Sequence, residues 1–187
     1  GTVVLFAGTS NRLFRLSNTD YSWVPVSRVT ALTSISNASP AVFTLASHGL
    51  VAGDRFVLST SGTLPTGLTV GTVYHVISAG LTANAFEVST SAGGAAVNTS
   101  SAGSGTHSFT NSYSVLSVSA QWQFAQFGNL VFATQENTVL QVYDLSSAVA
   151  FSDSAGSPPQ SAYIAVVGRF LVLSGLLSTP YRIQWSG

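Results

Sequence analysis

The chain has 187 residues and a mass of 19.3 kDa; 45% of them are hydrophobic and only 6% charged, with six arginines, no lysine, six acids, and no cysteine or methionine. So apolar and uncharged a chain is neither a solvating tail nor a disordered segment, and its scattered arginines form no basic stripe of the kind that neutralises a row of phosphates. Without cysteine there is no disulfide framework, thiolate zinc site or cysteine nucleophile, and secretion is neither supported nor excluded on redox grounds.

The longest apolar runs, 3–7 and 170–173, are too short to span a bilayer, and no basic stretch followed by an apolar one opens the chain. A soluble protein without stable membrane insertion is expected. As one compact domain it would expose roughly 8,500 Å² of an unfolded roughly 28,000 Å², burying about 70%. The absence of an initiator Met and the abrupt ends at Gly1 and Gly187 predict a piece of something larger.

In chain order, β-branched and aromatic runs bounded by Gly, Asn, Ser and Pro predict strands at 2–7, 12–16, 22–26, 41–45, 55–60, 71–78, 84–89 and 106–110. Others are predicted at 113–118, 121–127, 130–134, 139–143, 147–151, 161–167, 169–174 and 181–185. No segment holds a helical apolar period for three turns. In HGLVAGDRFVLS (48–59), Gly49 and Gly53 supply positive φ and Asp54 an Asx turn before the alternation of Phe56 and Leu58 with Val57 and Ser59.

Self-similarity organises these strands. Phe6-Ala7, Asn11 and Leu16 match Phe132-Ala133, Asn137 and Val142 at a spacing of 126. Gly8, Phe14, Arg15 and Leu16 match Gly175, Tyr181, Arg182 and Ile183 at 167, so the second and third copies lie 41 apart, the length of a four-stranded propeller blade. The surplus between the first two copies equals the length of residues 29–113. The expected fold is therefore all-β: partial β-propeller-like blades at 1–28 and 114–187, interrupted by a small β-barrel or sandwich module inserted at 29–113. The Ser/Gly/Ala/Thr-rich stretch 89–112 has linker chemistry, whereas Trp122, Phe124, Phe127, Phe132, Tyr163, Phe170 and Trp185 are expected to fill the space between sheets.

The strings WQFAQFGNLVFATQENTVLQVYDL (122–145), SPPQSAYIAVVGRFLVLSG (157–175) and RIQWSG (182–187) resemble the propeller-like part of tail nozzle (hub or tubular) proteins of short-tailed bacteriophages. VLFAGTSNRLFRL and YSWVPVSR, within 4–28, fit the preceding blade of such proteins. The segments 48–78 and 84–97 resemble small β-modules inserted in phage tail and fibre polypeptides. The resemblance implies a structural virion protein of the phage tail, a homo-oligomeric ring contacting neighbouring tail proteins, with DNA only in transit through its lumen. Only about three blade-like repeats are visible and the first lacks its innermost strand, whereas a closed propeller needs roughly four. The remainder is expected from further chain or a neighbouring subunit.

No catalytic residue, cofactor or metal is expected. His48, His75 and His107 all fall in the 29–113 module with Asp54 and Glu87, but at no metal-ligand spacing. Arg12, Arg15, Arg182, Tyr143, Glu136 and Asp144 supply the residue types of sialidase chemistry without its pattern, and Arg15 and Arg182 are expected at equivalent repeat positions. No Gly-x-Ser-x-Gly elbow occurs, and Gly103-Ser104-Gly105-Thr106 lacks the lysine of a phosphate loop. The Asn37-Ala38-Ser39 and Asn98-Thr99-Ser100 triplets are expected to be chance matches to a glycosylation signal. Tyr21, Trp23, Tyr74 and Tyr113, near expected loops, are the candidate sugar or partner contacts of a second reading: a carbohydrate or receptor-binding module of a tail fibre or bacterial surface protein.

Overall fold

A computed structural model describes residues 3–113 and 121–186, and within them the chain is all-β. Eighteen strands form five antiparallel sheets, and no helix is long and apolar enough to cross a membrane among the described residues. The strand expected at 113–118 falls almost wholly outside them. The chain divides into two compact units: residues 1–15, 26–28 and 113–187, and residues 16–25 and 29–112.

The first unit is a succession of meanders. Strands β1 (Phe6–Gly8) and β2 (Leu13–Leu16) pair with Phe6 opposite Arg15. Strands β12 (Gln123–Phe127), β13 (Leu130–Thr134), β14 (Gln141–Asp144) and β15 (Ser152–Asp153) follow one another across a four-stranded sheet. Strands β16 (Ser161–Val167), β17 (Phe170–Leu176) and β18 (Ile183–Trp185) form a three-stranded one. A two-residue turn opening on Gly128 joins β12 to β13, and one opening on Gly168 joins β16 to β17, with φ of 61° and 59°. Only glycine adopts that conformation without a Cβ penalty, and it matches the twist of the strands it joins.

Two apolar seams separate these sheets. Phe6 and Leu13 meet Val131, Ala133, Tyr143 and Phe151 in the first. The other face of β12–β15 contributes Ala125, Leu130, Phe132 and Val142 to the second, where Ile164, Leu171, Leu173 and Leu176 complete it. The middle sheet is thus apolar on both faces, which accounts for the near-continuous run LVFA in β13. Thr134 donates its hydroxyl to the carbonyl of Ser161 at 2.7 Å, and both residues are fully buried.

The second unit holds β3 (Trp23–Pro25), β4 (Val29–Ala31), β5 (Ser34–Ile35), β6 (Phe43–Thr44), β7 (Arg55–Thr60), β8 (Val73–Val76), β9 (Ala85–Phe86), β10 (Val88–Ser89) and β11 (His107–Thr110). The orders β10-β8-β7-β11-β4 and β5-β6-β9 are open, so among the described residues the expected barrel is not closed. Two sheets instead share one core of Phe43, Phe56, Tyr74, Phe86 and Phe109, and the chain changes sheet at Glu87. Gly49 and Gly53 have the expected positive φ.

Two expectations are corrected. Strands β4 and β5, of three and two residues, form where no strand is expected, because elements so short carry too little of an alternating pattern to reveal them. Residues 147–151 are not a strand, because the Asp144 carboxylate draws the backbone amide and hydroxyl of Ser146 into a turn and pairing resumes only at Ser152.

Candidate interaction surface

Registers show how the sheets of the first unit correspond. Phe132 pairs with Ala125 and Val142, and Val172 pairs with Ala165 and Trp185. With the Gly128 and Gly168 turns superposed, Ala165, Phe170, Val172 and Trp185 take the stations of Ala125, Leu130, Phe132 and Val142. The latter four line the second seam. Their counterparts lie on the outward face of β16–β18, where Phe170 is 47% and Trp185 65% exposed. Tyr163 and Ile183 stand on the same face, since they pair on either side of Ser174, and both are exposed. A sheet face whose counterpart is packed therefore lies open to solvent among the described residues. Such a contiguous apolar patch marks an interaction site more often than does a scattered exposed side chain.

Correspondence of registers corrects two sequence matches. Aligned at Phe6 and Phe132, the two hairpins differ in length: Arg15 pairs with Phe6 where Val142 pairs with Phe132, so the second is one residue longer. Asn11 and Asn137 lie in the corresponding connections, β1 to β2 and β13 to β14. Arg15 therefore corresponds to Trp185, not Arg182. Its guanidinium donates to the Tyr143 hydroxyl at 3.0 Å and lies over that ring, 5.9 Å from its centroid.

Of the four candidate sugar or partner contacts, Tyr21 is 77% and Trp23 39% exposed, whereas Tyr74 and Tyr113 are core residues. Tyr74 packs against Phe56 and donates no ring face to solvent; its hydroxyl accepts the Thr69 amide at 2.9 Å. Tyr113 stacks edge-on against Trp122, accepts the Arg28 amide at 2.8 Å and donates to Gln141 Oε1 at 3.1 Å. Burial pushes its phenol far above the ordinary tyrosine range, only partly opposed by the Arg28 amide and charge. The loop position expected of these two fails because each hydroxyl finds a hydrogen-bond partner, which lets the ring enter the core.

Among the described residues no group of three His, Asp or Glu side chains is placed to hold a metal. His48 packs edge-on against Phe86 and its Nδ1 accepts the Leu50 amide at 3.0 Å; His107 pairs with the Thr60 hydroxyl at 2.9 Å. His75 has its imidazole held below the usual range by burial and then by the Arg55 charge.

No protein-family model and no curated protein matches the chain. Among solved structures it is similar to phage phi92 endosialidase, with 14% identity and a TM-score of 0.29, over 96% of this chain and 36% of that one. The chain thus spans about a third of that protein's length, and the likeness is too distant to set fold or function.

Proposed function

We propose that the chain is a structural, non-enzymatic subunit of a phage tail nozzle or hub ring, assembled by stacking one blade-like sheet on the next. The observation that carries this reading is the open face of β16–β18, which repeats at Ala165, Phe170, Val172 and Trp185 the stations that β12–β15 packs at Ala125, Leu130, Phe132 and Val142. The consecutive order of β12–β15 is that of a propeller blade. The resemblance of 122–145, 157–175 and 182–187 to nozzle proteins supports the same assignment. Head-to-tail stacking of identical copies closes into a ring when the rotation per copy divides a full turn, and a sparsely charged lumen would let DNA pass without counterion-driven adhesion.

Native mass spectrometry and negative-stain microscopy test this. A closed ring of copies is expected. A monomer at the highest soluble concentration, unchanged by Trp185→Asp, overturns it.

A second reading, a carbohydrate or receptor-binding module, is favoured by Tyr21, whose ring stands exposed on a backbone with φ of 55°. Positive φ at a bulky residue is costly and concentrates at functional loops. Glycan-array binding lost in Trp23→Ala or Tyr21→Ala, by a protein that does not self-assemble, would establish it instead.

A further inference from the structure

All three histidines of the chain, His48, His75 and His107, fall in the second compact unit, and the first unit has none. Histidine is the side chain whose charge ordinarily changes between about pH 5 and 8. How each imidazole is held therefore decides how that unit responds to mild acid.

His48 is held in one protonation state. Its side chain is buried, and its Nδ1 stands 3.0 Å from the Leu50 amide nitrogen. An amide can only donate, so Nδ1 is the bare, accepting nitrogen. The proton of the neutral ring is then on Nε2, which donates to the Ala85 carbonyl at 3.4 Å. A second proton must go on Nδ1, where it faces the Leu50 N–H donor to donor and leaves a charged ring buried against Phe86. No carboxylate meets that charge. Asp54, in the following turn, accepts the Val51 amide at 3.0 Å, and the Glu87 carboxylate lies against Gly80. The Arg55 guanidinium donates to the Trp23 carbonyl.

The other two histidines are held differently. The Thr60 hydroxyl stands 2.9 Å from His107 Nδ1 and 3.4 Å from the Ser104 carbonyl, so it can turn its proton to Ser104 and accept one from a charged His107. His75 pairs with Ser89 on one side and Arg55 on the other. Burial and then the Arg55 charge hold its imidazole below the usual range, so the stability it lends is complete above about pH 6.5 and falls as pH drops through its folded value.

His48 lies in a strap across the core of its unit. The Leu45 and Ser47 amides donate to the Asn84 carbonyl at 3.0 Å and to Asn84 Oδ1 at 2.9 Å, and the His48 amide donates to the Ala83 carbonyl at 3.3 Å. The strap lays Leu50 into the cluster that contains Phe86. We propose that His48 is an acid-sensitive latch: uptake of a proton at Nδ1 releases residues 45–51 from residues 82–86 and uncovers Leu50 and Phe86, while the first unit stays folded over the same pH range. The latch belongs to the second unit by itself and stands under either functional reading.

Amide hydrogen exchange of the whole chain between pH 7 and 5, corrected for the intrinsic effect of pH on exchange, tests this. The open fraction read at Leu50 is expected to rise below about pH 6.5, by up to about tenfold per pH unit, the limit for one linked proton. Ala133, in the central strand of its sheet in the first unit, should stay equally protected throughout. His48→Asn is the informative variant, because an Asn side chain accepts the amide two residues on, as Nδ1 does here, and does not titrate. Its Leu50 profile is expected to lose the rise, whereas His75→Gln should keep it. Should His48→Asn not fold, the imidazole nitrogen shifts of the unaltered protein decide by NMR: protonation of Nδ1 and loss of Leu50 protection must share one midpoint. A flat profile in the unaltered protein, an undiminished rise in His48→Asn, loss of the rise in His75→Gln, an equal rise at Ala133, or a charged His48 coexisting with a protected Leu50 amide overturns the proposal.

Discussion

Leu130 and Phe170 hold the same station, each the first residue after a two-residue turn opening on glycine and each paired across it, with Phe127 and Val167 respectively. Leu130 is packed in the seam between sheets, whereas Phe170 is 47% exposed. One chain thus displays a sheet face both covered and bare. If Phe170, Ile183 and Trp185 serve assembly, adding charge there should cost association and not folding. Trp185→Asp combined with Ile183→Asp is expected to weaken self-association by at least about tenfold while moving Tm little, because both side chains are solvent-exposed in the isolated chain. Sedimentation velocity and differential scanning calorimetry on the same variant separate the two effects. Unaltered association would remove this face from the assembly.

Gly8 and Trp122 supply a second expectation. A Cβ on Gly8 would stand 2.3 Å from Trp122 Cδ1, and the indole is pinned by donating Nε1 to the Thr9 carbonyl at 2.9 Å. The ring cannot retreat without giving up that bond and its edge contact with Tyr113. Gly8→Ala is therefore expected to destabilise the first unit by about 1–3 kcal/mol, the usual cost of overpacking. In a denaturation series the cost should shrink when Trp122→Leu is present, because neighbours that clash do not act additively.

How far the sequence reveals this fold depends on what each element rests upon. The strands around Phe56, Phe132, Ile164 and Leu173 are legible because apolar alternation and turn glycines are local signals. The match of Phe6 with Phe132 is legible for the same reason. The correspondence of Trp185 with Val142 is not, since a gapless comparison carries the register through connections whose lengths differ, and so it paired Arg15 with Arg182. Phe151 shows another limit: it enters the seam from a turn held by Asp144, at a place where periodicity predicts a strand. The exposed face was hidden for a physical reason too. Phe170 and Trp185 look like core residues in the sequence, and only their positions on an end sheet show that no other described sheet covers them.

Tyr113 carries a pH expectation. Its buried phenol must stay neutral in the folded state, so its folded pKa is raised above the unfolded value of about 10. The stability it contributes is complete below that value and declines as pH rises towards the folded pKa, by about 1.4 kcal/mol per pH unit. Tyr113→Phe should lose about 1–3 kcal/mol at neutral pH, because the Arg28 amide and Gln141 lose a partner. It should also flatten the alkaline decline. Urea unfolding of both proteins between neutral pH and strongly alkaline pH checks this, and parallel curves would contradict it.

Tyr21 separates the two functional readings most economically. Its φ of 55° lies in the left-handed region, where a residue with a Cβ is strained by about 1–2 kcal/mol and glycine is not. The ring is 77% exposed, so its removal forfeits little burial. The adjoining turn is held independently, by Asp20 Oδ1 accepting the Ser22 amide and hydroxyl at 3.2 and 3.0 Å; a hydrogen bond from the Ser17 side chain, and then these two, hold the Asp20 carboxyl below its usual range. Tyr21→Gly is therefore expected to raise stability by about 1 kcal/mol, read as a higher Tm. If the strain is kept for ligand recognition, the same substitution should abolish binding in a glycan screen, a gain of stability at the expense of function. If the chain is solely an assembly subunit, the variant should be more stable and should assemble unchanged. A fall in stability would show that the Tyr21 ring has packing partners that offset its backbone strain.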